Sequence, residues 1–495
     1  MRIRARSVWT ACFVITFALS ACAGTGAPQA TPLSTPQLPT PDAGPTPLPT
    51  RSPHPPGELF DYVAQSGDTL EALATHFNTT IGEIQAANPD LPADLTTLPP
   101  GYPMQIPAYY MPHASSPFHI LPDSEIVYGP SAVGFDISAE IRQRTGFLSE
   151  LADFAYQRQR TAWEVVEVIS YNYSVNPRVL LALMEYRTQA LSKPIAEGDD
   201  VIYPMGVRES RYKNLFWQLI WACERLNDGY YGWRTGTLHE IELLDGLLVR
   251  PDAWLNAGTV AVHNVFAGMF GSDDFAHATS PEGFYQTYVE LWGDPFDLEE
   301  VVIPGNLRQP ELTLPFLPNR IWDFTAGPHF SWGTSLPLGA LDFGPPSEES
   351  GCVPSAEWIA APADGVIARS GEAAVILDLD GDGDERTGWT LFFYHVASND
   401  RISEGAVVKQ GDALGHPSCE GGRSTGTHFH VARRYNGEWM PAGGVLPFTF
   451  DGWVTAYGEE AYQGTLTKGS KVVPASEFSS AENRILYELP TSDGS

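Results

Sequence analysis

The sequence predicts a multidomain α+β chain: a small βααβ module, an all-helical middle domain, and a C-terminal domain built on an antiparallel β-sheet. Three observations carry this expectation. At 495 residues the chain is longer than one hydrophobic core usually organises. Its 43% hydrophobic content and 13 Trp supply apolar material for several cores. The hydrophobic period then changes along the chain, from a strand-helix-helix-strand run over 60–107, to helical spacing over 112–312, to short β-branched and aromatic runs from 313.

The first 22 residues read as a targeting segment. Arg2, Arg4 and Arg6 form a charged start, an apolar run follows, and Leu19-Ser20-Ala21-Cys22 sets small residues before a cysteine. This ending resembles a bacterial lipobox, which implies acylation of Cys22 and a lipoprotein held at the membrane outside the cytoplasm. Residues 23–58 are rich in Pro, Thr and Ala, a composition that favours extended polyproline II and serves as a tether. The net charge of −31 leaves no phosphate-attracting surface, so nucleic acid is excluded as a partner. No later stretch is long and apolar enough to span a bilayer.

The module over 60–107 opens on Ser66-Gly67-Asp68-Thr69-Leu70. Leu70, Leu73, Ala74 and Phe77 recur at helical spacing, as do Ile81, Ile84 and Ala87, before a stop at Asn88-Pro89. A closing run ends at Gln105-Ile106-Pro107. The three separated signals together resemble a LysM module. The resemblance implies binding of N-acetylglucosamine-containing glycan by the loops around Gly67, Asp68, Thr69 and Leu70, and around Asn88 and Pro89.

The middle domain, 112–312, carries long helical patterns such as Trp163-Glu164-Val165-Val166 and Phe216-Trp217-Gln218-Leu219. Its function is not readable from composition. The segment around Glu185 distantly resembles the glutamate helix of lysozyme-like lytic transglycosylases, where a desolvated carboxylic acid acts in glycan cleavage. The Tyr186-Arg187-Thr188 that follows departs from that family's pattern, so a structural helix is the preferred reading.

In the C-terminal domain, 313–465, the sharpest signal is Thr427-His428-Phe429-His430. On a strand, residues i and i+2 share a face, so both imidazoles can enter one cleft. A catalytic zinc site wants three protein ligands and an open position for water. The block from Cys419 to His430, with Gly327-Pro328-His329, Ala340-Leu341-Asp342 and Phe393-Tyr394-His395, closely resembles the M23 metallopeptidases, in particular the LasA-like staphylolytic branch. That branch has the long spacing found here between His329 and Asp342, whereas the lysostaphin-like branch places a histidine where Leu338 stands.

The resemblance implies that His329, Asp342 and His430 bind Zn²⁺ and that His428 and His395 are catalytic. His428 is the best general-base candidate, and His395 would stabilise the oxyanion or relay protons. It also implies peptidoglycan as the substrate, with its peptides entering the peptidase cleft. A catalytically inactive wall-binding lipoprotein, and glycan cleavage by the helical domain, are the alternative functions.

Three further features stand beside these. Cys352 and Cys419 both fall in the peptidase domain, either bridged or as two thiols, and the bridge is favoured because the LasA-like branch has a cysteine at the Cys419 position. Cys223 reads as a buried apolar residue. Asp378, Asp380 and Asp382 open like a calcium loop, but Trp389 stands where that loop requires a glutamate, so an acidic hairpin turn explains them equally well. Residues 466–495 read as a C-terminal tail.

Overall fold

A computed structural model describes residues 54–92, 94–109, 115–347, 349 and 351–488. The expected signal segment, the acylated Cys22 and most of the tether lie outside these residues.

The first module has strands β1 (Glu58–Val63) and β2 (Pro103–Ala108) paired antiparallel around helices α1 (Leu70–His76) and α2 (Ile81–Ala87). Thr69 starts α1 by accepting a hydrogen bond from the Ala72 amide, and a reciprocal Thr80–Glu83 capping box starts α2. Tyr62, Leu73, Phe77, Ile84 and Ile106 form its core.

The middle region holds α3 (Ile137–Arg142), β3 (Ala152–Ala155), β4 (Arg158–Thr161), α4 (Ala162–Tyr173), α5 (Pro177–Thr188), α6 (Asn214–Arg234), β5 (Ile241–Glu242), β6 (Leu248–Val249), α7 (Ala257–Ala267), α8 (Ser272–Ala278) and α9 (Phe284–Trp292). It is helical in the main, but the expectation of helices alone needs correction. Strands β3 and β4 form a hairpin, and β5 and β6 another. The turn of the first uses Tyr156 and Gln157 with φ of 45° and 66°, a left-handed pair normally filled by Asn-Gly, so no local signal announces it.

The C-terminal region comprises β7 (Ile321–Phe330), β8 (Leu338–Gly344), β9 (Ile359–Ala360), β10 (Gly365–Gly371), β11 (Ala374–Asp378), β12 (Trp389–Tyr394), β13 (Val407–Val408), β14 (Ala413–Gly415), β15 (Phe429–Tyr435), β16 (Glu438–Trp439), β17 (Thr449–Phe450), β18 (Trp453–Tyr457), β19 (Gly464–Lys468), β20 (Lys471–Pro474) and β21 (Arg484–Leu486). The main antiparallel sheet runs β13-β10-β11-β12-β15-β8-β7-β21, with β16 paired to β15. Strands β17 to β20 form a second sheet. Residues from 466 are therefore no tail among the described residues: β21 completes the main sheet beside β7, and Ile485 is fully buried.

Side chains alternate across the main sheet. Leu341, Phe343, Leu377, Phe393, Phe429 and Val431 face one core. Ala340, Ile376, Phe392, Ala432 and Trp439 face the other, which is continuous with the packed interior of the helices. The period-2 strand thus divides its load between two hydrophobic layers.

Candidate metal centre

Strand pairing brings the ligand candidates together. His430 on β15 stands directly opposite Asp342 on β8, and β8 pairs with β7, where His329 faces Ala340. The β7–β8 register shifts on both sides of His329, and such irregularities re-aim a side chain that regular pairing would direct elsewhere. His430 and Asp342 lie on the face shared with Ala432 and Phe392, toward the helices, and the Phe392 ring packs 6.0 Å from that of His430.

The three candidate ligand atoms converge. His329 Nε2 lies 3.0 Å from His430 Nδ1 and 3.2 Å from Asp342 Oδ1, and His430 Nδ1 is 3.4 Å from the same oxygen. The other nitrogen of each ring faces a backbone carbonyl: His329 Nδ1 reaches Gly327 O at 2.9 Å, and His430 Nε2 reaches Ser331 O at 3.1 Å. A carbonyl only accepts, so those nitrogens carry the protons and the inward-facing ones present lone pairs. Asp342 Oδ1 is buried with no hydrogen-bond partner. Three donor atoms converging within 3.0–3.4 Å of one another make a site shaped for a cation, and the N, N, O donor set suits Zn²⁺.

Electrostatics agree with one anion embedded among imidazoles. Burial alone would raise the Asp342 carboxyl, yet His329 and His428 hold it well below the usual range. Burial would likewise lower His329, but Asp342 raises it above its ordinary value. His430 is lowered by burial.

Two more histidines border this triad. His428, partly exposed, donates from Nδ1 to Gly426 O at 2.8 Å, leaving Nε2 with a lone pair 3.5 Å from Asp342 Oδ2. His395 follows β12 in a left-handed conformation, φ 61°, and its Nδ1 meets Glu420 O at 2.8 Å. Its ring centroid is 4.6 Å from that of His428, and burial, then His428, pull it down to about 4. A neutral His395 bonded this way offers Nε2 as an acceptor. It cannot donate to an oxyanion until it has taken up a proton.

Comparison with known proteins now has a geometry to stand beside. The LysM domain family matches residues 62–107, and the LasA N-terminal domain family matches residues 119–304. The protease LasA of Pseudomonas aeruginosa, strain UCBPP-PA14, is 25% identical over 366 residues, covering 69% of this chain and 78% of that protein. By these matches the chain is similar to LasA-like M23 metallopeptidases and carries a LysM-like module. Among solved structures, the M23 metalloprotease pseudoalterin from the deep sea superposes at a TM-score of 0.29 with 22% identity, over 34% of this chain and 96% of that one. The lysostaphin catalytic domain of Staphylococcus simulans gives 0.18 with 20% identity, over 24% and 87%.

The remaining sequence candidates fall as follows. Cys352 and Cys419 form a disulfide that joins the loop after β8 to the segment before β15, and Cys223 is buried and free. Asp68 is half-buried, accepting from Tyr62 Oη at 2.7 Å and the Gln65 amide at 2.8 Å, and desolvation raises its carboxyl to about 6. Asn88 ties α2 to β2 through Ile84 and Gln105. Glu185 lies in no apolar pocket; its carboxylate accepts from the Leu191 and Ser192 amides beyond the end of α5. Asp378, Asp380 and Asp382 gather at the β11–β12 turn, where Asp378 accepts from the amides of Asp380 and Gly383.

Tyr462 was not legible in the sequence. Its ring stacks on His329 at 4.7 Å and 19°, and its backbone is bonded to both Gly327 and Pro328. The one available signal was Gly327, where a Cβ would stand 2.4 Å from Gln463 O, so only glycine lets the two loops close.

Proposed function

We propose that this chain is a zinc endopeptidase of peptidoglycan, cutting cross-link or stem peptides outside the cytoplasm, with its LysM module reading the N-acetylglucosamine-containing glycan and its lipidated Cys22 holding it at the membrane. The observation that carries the reading is the triangle of lone pairs on His329, Asp342 and His430. Zn²⁺ held there would polarise a scissile carbonyl and acidify a water. His428, whose Nδ1 faces Gly426 O so that Nε2 of the neutral ring turns toward Asp342, is the general base that takes the proton of the attacking water. His395 Nε2, an acceptor at neutral pH, receives that proton in turn and hands it to the leaving amine. Tyr462 and the disulfide hold the two walls of the cleft.

Tethering adds to this arrangement. A lipid on Cys22 and the Pro/Thr-rich 23–58 tether would confine the enzyme to the wall, where effective concentration rather than intrinsic affinity sets occupancy. One experiment separates the classes of activity: purified wall is digested with and without chelator and analysed by mass spectrometry. New peptide termini that vanish on chelation support the reading. Sugar ends that persist without zinc would replace it with glycan cleavage, and wall binding without release would replace it with a regulatory role. Palmitate labelling that survives Cys22→Ala would refute the anchor.

A further inference from the structure

The Ser66–Leu70 loop that the LysM resemblance assigns to glycan, and the Thr96–Pro99 run beside it on the way from α2 to β2, are not open in this chain. A connector between the helical region and the peptidase sheet, residues 303–307, lies across them. Ser66 Oγ donates to Ile303 O at 3.2 Å and accepts from Ile303 N at 2.8 Å. On the later part of the α2–β2 connection, Thr97 Oγ1 donates to Pro304 O at 2.8 Å and accepts from Leu307 N at 3.0 Å, the Asn306 amide donates to Thr97 O at 2.8 Å, and Thr96 Oγ1 donates to Leu307 O at 2.6 Å. The Leu98 amide bonds Asp68 O at 2.8 Å, so the two loops form one rim.

Close approach is built into the connector. A Cβ on Gly305 would stand 2.6 Å from Pro99 Cα, so only glycine lets the backbones meet. Asn306 takes a left-handed φ of 53°, which asparagine tolerates better than most residues. Nearly every contact is made to peptide groups of the connector. A peptide unit and the acetamido group of an N-acetylhexosamine present the same pair, one N–H donor and one C=O acceptor. A hydroxyl such as Ser66 Oγ, which here serves both groups of Ile303, is equally suited to either.

The other side of the connector is pinned to the peptidase region. Val302, Ile303 and Leu307 pack with Met440, and Asn436 Nδ2 donates to Val302 O at 2.8 Å. Beside the rim, a cavity of about 370 Å³ runs from Gly67, Thr69 and Thr97 to Tyr457 and Ala461, next to the Tyr462 that stacks on His329.

We propose that residues 303–307 close the glycan cleft of the LysM module from within, and that an N-acetylhexosamine chain enters by displacing them. Wall binding then frees the connector from both the module and the Met440 cluster. The proposal rests on the LysM module being a glycan reader, as stated above.

The test uses the full chain and chitohexaose as the probe. Amide hydrogen exchange is followed at Ile303, Asn306 and Leu307 with and without the sugar, and affinity is measured for the wild type, for Gly305→Leu, and for Asn306→Pro as a second way to dislodge the connector. Saturating chitohexaose is expected to increase exchange at these three amides in the wild type, and either variant is expected to bind at least tenfold tighter. Binding by the wild type with the amides still protected, or equal affinity in variants whose connector exchanges freely, overturns the gating while leaving the glycan reading intact. No binding by any form, with the connector exposed in the variants, removes the glycan reading and the proposal with it.

Discussion

Asp342→Asn isolates what the carboxylate does at the metal centre. Its Oδ1 is buried and lacks a hydrogen-bond partner, and imidazole nitrogens of His329 and His430 face it at 3.2 and 3.4 Å. The cation the site is shaped for should therefore stabilise the fold as a ligand bound only by the native state. At a thousandfold excess of free zinc over Kd, that stabilisation is about 4 kcal/mol. Its effect on melting depends on how much of the chain unfolds together. The core is continuous from the helices onto the site-bearing face of the sheet, so some 430 residues should melt as one unit, with an unfolding entropy of about 0.9 kcal/mol/K. The expected rise in Tm is then about 4–5 °C, whereas a sheet of about 150 residues melting alone would rise roughly 13 °C. Differential scanning calorimetry of the metal-stripped protein, with zinc added back, reads this directly. Asp342→Asn should show a rise below about 1 °C, since the amide is a poor zinc ligand. An unchanged Tm in the wild type, or an equal rise in the variant, would refute the assignment of the centre.

Three further outcomes are expected. His428→Ala should retain wild-type zinc content by elemental analysis while peptide release from purified wall falls about 10²–10⁴-fold, because the base is lost and the ligands are not. Replacing both Cys352 and Cys419 by Ser opens a loop of 67 residues and should cost about 4 kcal/mol in denaturant unfolding, by the chain-entropy relation, with the loss concentrated around the catalytic strand β15. Asp228 should make stability pH-dependent: burial raises its carboxyl from 3.8 to about 6, even though it accepts from the Leu336 amide. A raised folded-state value means its favourable contribution is complete below about pH 4 and lost as pH rises to 6, so Asp228→Asn should flatten Tm between pH 4 and 7 and raise stability at pH 7 by about 1–3 kcal/mol.

What the sequence revealed of the site follows from chain geometry. His428 and His430 were legible because a strand repeats every two residues. The long interval from His329 to Asp342 was legible only through family resemblance, and it corresponds to two neighbouring strands, β7 and β8, with an irregular register between them. Strand β19 carried a readable alternation in Thr465-Leu466-Thr467, with Leu466 buried, so the C-terminal strands could have been found by period alone. Tyr462 could not, because its partner lies more than a hundred residues away and no local rule links the two. The closure of the LysM rim escaped for a different reason: it is made to backbone groups of 303–307, which any sequence supplies.

The helical region does more than separate two modules. Helix α6 supplies Asp228, which accepts from Leu336 N, and Glu224, which accepts from Thr334 Oγ1. Both partners lie in the β7–β8 loop, the loop whose Ser331 carbonyl orients His430. One turn beyond Tyr230, Arg234 ends the same helix buried between Asp123 at 3.0 Å and Glu438 at 3.1 Å, and donates to Ser66 O on the LysM rim. Buried ion pairs of this kind add little net stability, but breaking one by removing a single partner costs about 3–5 kcal/mol, so they fix geometry more than they strengthen it. The orientation of His430 and the position of the rim at Ser66 thus both refer to one rigid rod.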